Sequence, residues 1–251
     1  MQIFSYIAGA AGAGFVGGVL ASLWAPGRRL TSYIQHFAAG VVIAAVALQV
    51  APEIRSAGAA PAAVLGGFAS GGICMVGVKW LALRIEERER RRRGMPWGLT
   101  AAAAIDTAID GTIIGMGFAL DPGVGAILAL ALGLELFFLT LSVGSSFRQD
   151  GASHGTAIAA TSGISLLLVV GAVAGTLLLR DAPKSVLAAL LSFGAAALLY
   201  LVTEELLVET HVGEETLLST AMFFLGFLAI FAFILFGVTA DPLEAGALTS
   251  P

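Results

Sequence analysis

An all-α polytopic membrane bundle of eight transmembrane helices is the fold class this sequence predicts, and three observations predict it. Hydrophobic residues make up 58% of the chain and charged residues only 12%, with a mean hydropathy of +0.94; a soluble domain is nearer half apolar and a quarter charged. The apolar residues gather into eight runs of about 20, the length that a hydrocarbon core of about 30 Å demands of a helix. Short stretches such as "APGRR", "APEIRSAGAAP", "LDPG", "RDAPK" and "ADP" separate the runs and supply the Pro, Gly and Asp that end helices and turn the chain. Residues 1–251 therefore read as one transmembrane domain.

The first span, 3–24, resembles a signal peptide in position only. No basic residue precedes it, it is too long, and seven spans follow, so it is expected to be a retained helix. The second, 33–52, closes on "ALQVAPE" and places Gln49 in the outer third and Glu53 at the rim. The third, 61–83, holds the one cysteine, Cys74, which excludes an intrachain disulfide; it leads into a basic inner loop, 84–96. The fourth, 97–119, and fifth, 123–146, carry acids in mid-span. The sixth, 156–179, holds no ionisable residue. The seventh, 186–209, ends in "LYLVTEELLVETH", and the eighth, 216–239, closes the bundle.

Small residues at helical spacing in "AGAAGAGFVGG" and "LGGFASGG" predict close helix approach, since packing rather than the hydrophobic effect joins helices in lipid. Packing inside one bundle is the expected use, ahead of a dimer seam.

Basic residues beside spans are held on the cytoplasmic side. With the N-terminus outside, the inner loops hold Arg28, Arg29, Lys79, Arg84, Arg88, Arg90, Arg91, Arg92, Arg93 and Arg148, and the outer loops only Arg55, Arg180 and Lys184. Both termini are expected outside. The run "RIEERERRRR" serves topology and solvation, with attraction to anionic lipid as a further use; nucleic acid is not an expected partner. Short Ala- and Gly-rich loops point to a bacterial inner membrane.

The chemistry lies in ionisable residues that a bilayer excludes. A carboxylate at the centre of a membrane helix costs about 2.5–3.5 kcal/mol on insertion scales, so its presence marks function by default. In "AAAAIDTAIDGTIIGMGFAL", Asp106 and Asp110 stand four apart and so project from one face of a helix. Glu135 lies about eleven residues into the next, oppositely directed span and reaches a similar depth. Three bare anions repel one another in such a medium, so a proton or a cation must sit among them. Carboxylate oxygens are good ligands for divalent cations. Near the inner boundary, Glu205 and Glu209 share one face, while Glu204 and His211, seven apart, share another. Polar oxygens thus occur at outer, middle and inner depths, as a permeating cation requires.

At these residues the chain resembles a known family. "DTAIDG" resembles the His-Asn-x-x-Glu/Asp-Gly signature of the ZIP (Zrt-, Irt-like) metal transporters. "YLVTEELLVETH" is similar to their Glu-Glu-Leu-Ile-Pro-Glu segment, and "HFAAGVVIAAVALQVAPE" to their second span. The resemblance implies a homodimer that moves zinc, iron or manganese through a midplane site. It puts Asp106 and Thr107 in place of the family's histidine and asparagine, Asp110 in place of its acid, and Glu135 at the first ligand position of the fifth span. The family's further ligands in that span correspond to Leu136 and Leu139, and its second-span histidine to Gln49. One main metal is therefore expected, at Asp106, Asp110 and Glu135, with Glu205 contributing.

No mid-membrane histidine joins this pathway: His36, His154 and His211 all fall toward the inner side. The divalent ion is expected as transported substrate, with zinc first and manganese, iron or cadmium open, and no prosthetic group is expected. Two other mechanisms use the same acids. One is a proton- or sodium-coupled carrier of a small solute, with the carboxylates as a proton relay; the other, weaker, is a membrane-embedded hydrolase, for which paired aspartates usually come from facing helices. No enzyme activity is expected. Gly111, Gly115 and Gly117 are expected to let the fourth helix bend or slide against its neighbour.

Overall fold

The computed structural model describes residues 2–24, 28–90, 97–179, 181–206 and 216–237. The fold is all-α, with no strand among the described residues. Its helices are α1 (Gln2–Leu23), α2 (Arg28–Ala45), α3 (Ala51–Ser56), α4 (Pro61–Arg90), α5 (Trp97–Leu120), α6 (Pro122–Gln149), α7 (His154–Leu179), α8 (Lys184–Leu201) and α9 (Leu217–Gly237). A π-helical turn, Val46–Val50, joins α2 to α3, and a second, Val202–Leu206, continues α8. Counting α2 and α3 as one span, eight helices are long and apolar enough to cross a membrane.

Local chemistry sets the ends. Asp121, in extended conformation, accepts hydrogen bonds from the backbone N–H groups of Gly123 and Val124 at 2.7 and 3.2 Å and caps α6, with Pro122 in its first turn. Ser153 accepts from the Thr156 N–H ahead of α7, and Thr216 from the Ser219 N–H ahead of α9. Gly58 and Gly151 take positive φ in the turns after α3 and α6, a region that costs glycine least. Helix α4 runs on to Arg90, into the segment expected as a basic loop. The residues of "RIEERER" favour helix, and Arg84 lies 4.0 Å above the Trp80 ring. Residues 91–96 lie outside the described part.

Burial sorts the spans into two shells. Those of α2, α5, α6 and α8 are more than half buried, whereas α1, α4, α7 and α9 keep most of their surface outward, as helices facing lipid do. Each outer helix leans on one inner helix: α1 on α6, α7 on α5, α9 on α2, and α4 on α8. Helices α1, α5, α6 and α7 pack among themselves as one group, and α2, α4, α8 and α9 make another from two pairs, α2 with α9 and α4 with α8, joined through α3 and the two π turns. The groups meet mainly through α2 against α6 and α5 against α8.

Glycine lets these backbones touch. A Cβ on Gly17 would stand 2.2 Å from the Phe137 carbonyl oxygen, and one on Gly40 2.0 Å from that of Phe223; Gly67 and Gly71 meet the carbonyls of Ala189 and Phe193. In the small-residue stretches of the first and third spans, Gly14, Gly17, Gly18, Gly67 and Gly71 are spent on packing within the chain, whereas Gly9, Gly12, Gly66 and Gly72 meet nothing within 4 Å. Thr140, fully buried, donates from Oγ1 to the Gly14 carbonyl at 2.7 Å and ties α6 to α1. Thr140→Val keeps the shape and removes this bond. It is expected to cost about 0.6–1.7 kcal/mol, measured as a lower midpoint of thermal unfolding in detergent.

Candidate metal centre

The site forms where α5 and α6 face each other. On α5, Ala108, Gly111, Thr112 and Gly115 press against α7: Cβ atoms on Gly111 and Gly115 would lie 2.3 and 2.5 Å from the carbonyl oxygens of Leu168 and Ala172. At 100° per residue the opposite face of α5 carries Asp106, Asp110 and Gly117, and Gly117 meets Gly125 and Leu128 of α6. On α6, Gly133, Leu136, Phe137 and Thr140 are turned to α1, which puts Glu135 on the face away from α1 and toward α5. Each helix is thus held from behind by its outer partner and presents its acids to the other.

One ligand oxygen from each of Asp106, Asp110 and Glu135 lies within 4.8 Å of the other two. The three residues are only 7%, 6% and 4% exposed. Asp110 has ten residues of its span, Thr100–Leu120, on either side, and Glu135 stands at the middle of Pro122–Gln149, so the cluster is at mid-depth. The nearest basic residue along either helix is Arg148, at the far end of α6, where it donates to the Ala152 carbonyl. Unit charges this close repel by about 3 kcal/mol per pair at an effective dielectric constant of 20, so the cluster favours a shared cation or proton. Among the described residues this is the group of His, Cys, Asp and Glu within reach of one ion.

Thr107 is completely buried, and its Oγ1 has no hydrogen-bond partner among the described residues. Leu136 faces α1 rather than the acids. Leu139, one turn beyond Glu135 on the same face, is half-buried and brings no ligand atom. The side chains that bring donor atoms together here are therefore the three acids.

The other expected residues lie apart from this cluster. Gln49 sits in the first π turn, half-buried, with Nε2 beside Gly123 at the start of α6. Glu53 is half-buried in α3. Glu204 lies in the second π turn and forms a salt bridge with Lys79 of α4; Lys79 had counted only toward topology, and its place inside an apolar run was the signal for a partner. Glu205 occupies the same π turn, and its side chain lies outside the described part, as do residues Glu209 and His211 entirely. No protein-family model matches the chain, and no curated protein matches its sequence.

Proposed function

We propose that this chain carries divalent metal ions across the membrane through Asp106, Asp110 and Glu135, as a divergent relative of the ZIP transporters. The observation that carries the proposal is the mid-depth trio of buried carboxylates from two helices, with ligand oxygens within 4.8 Å of one another. Oxygen-only donors suit zinc, manganese, iron and cadmium, and zinc ranks first. The ion approaches past Glu53 and Gln49, loses water at the trio, and leaves past Glu204, Glu205, Glu209 and His211.

The packing supports a simple means of moving the ion. The trio belongs to the group of α1, α5, α6 and α7, whereas Gln49, Glu53 and Glu204 belong to the group of α2, α3, α4 and α8. A tilt or slide of one group against the other exposes the trio first to one rim and then to the other. In this proposal the protein works as a homodimer in a bacterial inner membrane, with both ends of the chain outside.

Uptake of zinc, manganese, iron and cadmium into proteoliposomes tests the reading. Saturable flux of at least one ion, absent from protein-free vesicles, is the expected result. Proton or sodium movement without flux of any metal would replace the reading with the coupled carrier.

A further inference from the structure

On the outward side of the bundle a groove is left between α5 and α8. The two helices touch where a Cβ on Gly194 of α8 would stand 2.9 Å from the Ile113 side chain, and beside that contact they part. The space has a volume of about 450 Å³. Ile105, Ile109, Thr112 and Met116 of α5 form its floor, Leu190 and Phe193 of α8 its side, and Leu179, the last residue of α7, its end. Ile105 and Leu190 are 45% and 36% exposed, so the groove opens on the surface that faces lipid. This face of α5 is turned about 100° from Asp110, and the groove is separate from the acids.

Its chemistry excludes a polar ligand. The side chains that line it are apolar except Thr112, whose Oγ1 already donates to the Ala108 carbonyl at 2.9 Å. Its size excludes a helix. From Ile105 to Met116 the floor rises about 16 Å, and that length of helix, about 10–12 Å across with its side chains, would need on the order of 1,500 Å³. A hydrocarbon chain is the apolar occupant that remains, and the floor is about as long as one leaflet's share of a hydrocarbon core of about 30 Å. Charge at the mouth indicates what such a chain is attached to. Leu179 closes α7 and Lys184 opens α8 across a short turn, so both stand at one rim, and Lys184 is exposed there. A basic residue at the membrane surface attracts an anionic headgroup.

We infer that this groove binds one acyl chain of an anionic phospholipid from the leaflet that holds the α7–α8 turn, with the headgroup phosphate beside Lys184. The chain packs α5 to α8 where the two groups of helices meet. Neither the site nor its test depends on metal transport.

The test is the thermal midpoint of the purified chain in detergent, titrated with dioleoylphosphatidylglycerol or with dioleoylphosphatidylcholine. Phosphatidylglycerol at saturation is expected to raise the native midpoint by roughly 5 °C, and phosphatidylcholine by less. Leu190→Trp and Thr112→Phe fill the groove from its two walls and lose the shift. Thr112→Val keeps the volume and retains it, and Lys184→Gln makes the two lipids equal. Equal shifts in the native chain, or a shift that persists in both filled variants, overturn the inference. A second measurement needs no filled variant. Phosphatidylglycerol carrying a diazirine on its acyl chain is expected to label the native chain at Ile109 and Leu190 in preference to Phe224 and Leu228, which α9 also turns outward. Even labelling of the two surfaces overturns the inference. Disulfide-linked dimers of Leu190→Cys in a Cys74→Ser background would give the groove to a second copy and overturn it too.

Discussion

Asp110→Asn and Glu135→Gln are each expected to lower metal flux by about 100-fold or more and to remove the stabilisation that metal gives the folded protein. Both changes keep side-chain volume and remove one anionic donor from a set of three whose ligand oxygens lie within 4.8 Å. In the native chain, zinc at about 100 times its dissociation constant contributes about 2.7 kcal/mol to stability, a shift of roughly 5–10 °C in thermal midpoint for a chain of this size. The substitutions have the opposite effect on the metal-free protein. Neutralising one of three crowded buried acids relieves like-charge repulsion, so the metal-free midpoint stays level or rises. Thermal scans with and without zinc, run beside vesicle uptake, read both effects. A variant that loses transport but keeps the zinc-dependent shift would assign the acid to proton movement instead of ligation.

Gly111→Ala is expected to damage the site from behind. Its Cβ would stand 2.3 Å from the Leu168 carbonyl oxygen and 3.0 Å from the Ala172 nitrogen, and a helix backbone cannot yield as a side chain does. Helix α5 must move off α7, and Asp110, next in sequence and on the far face, moves with it relative to Glu135. Overpacking of this kind costs about 1–3 kcal/mol, a fall of roughly 3–10 °C in thermal midpoint, and the displaced ligand weakens zinc binding about 10-fold. Gly163→Ala on α7 is the control, because its Cβ would meet nothing within 4 Å; it leaves zinc binding unchanged and the midpoint level or slightly raised, since alanine favours helix over glycine. Calorimetric zinc titration and thermal scans of the two variants check the contrast. Gly111 and Gly115 are thus points of close approach to α7, and Gly117 to α6.

What could be read in the sequence divides along physical lines. Spans and their breaks were legible because bilayer thickness imposes a length and Pro, Gly and Asp mark the turns, as Asp121 and Pro122 do ahead of α6. The trio was legible because an acid in mid-span is costly, and the i, i+4 spacing of Asp106 and Asp110 on a helix opposite Glu135 fixes face and depth. Pairing of Lys79 with Glu204, 125 residues apart, depends on the packing of α4 on α8, which no local pattern encodes. The π turns left almost no trace either, since only one of them has a proline nearby.

Anomalous diffraction from crystals grown with zinc, or with cadmium as a heavier substitute, tests most directly whether α5 and α6 jointly hold one ion. The expected result is one strong peak within coordination distance of Asp106, Asp110 and Glu135, lost in Asp110→Asn. Well-ordered crystals with no peak among the three acids, or with peaks at the rims alone, would contradict it.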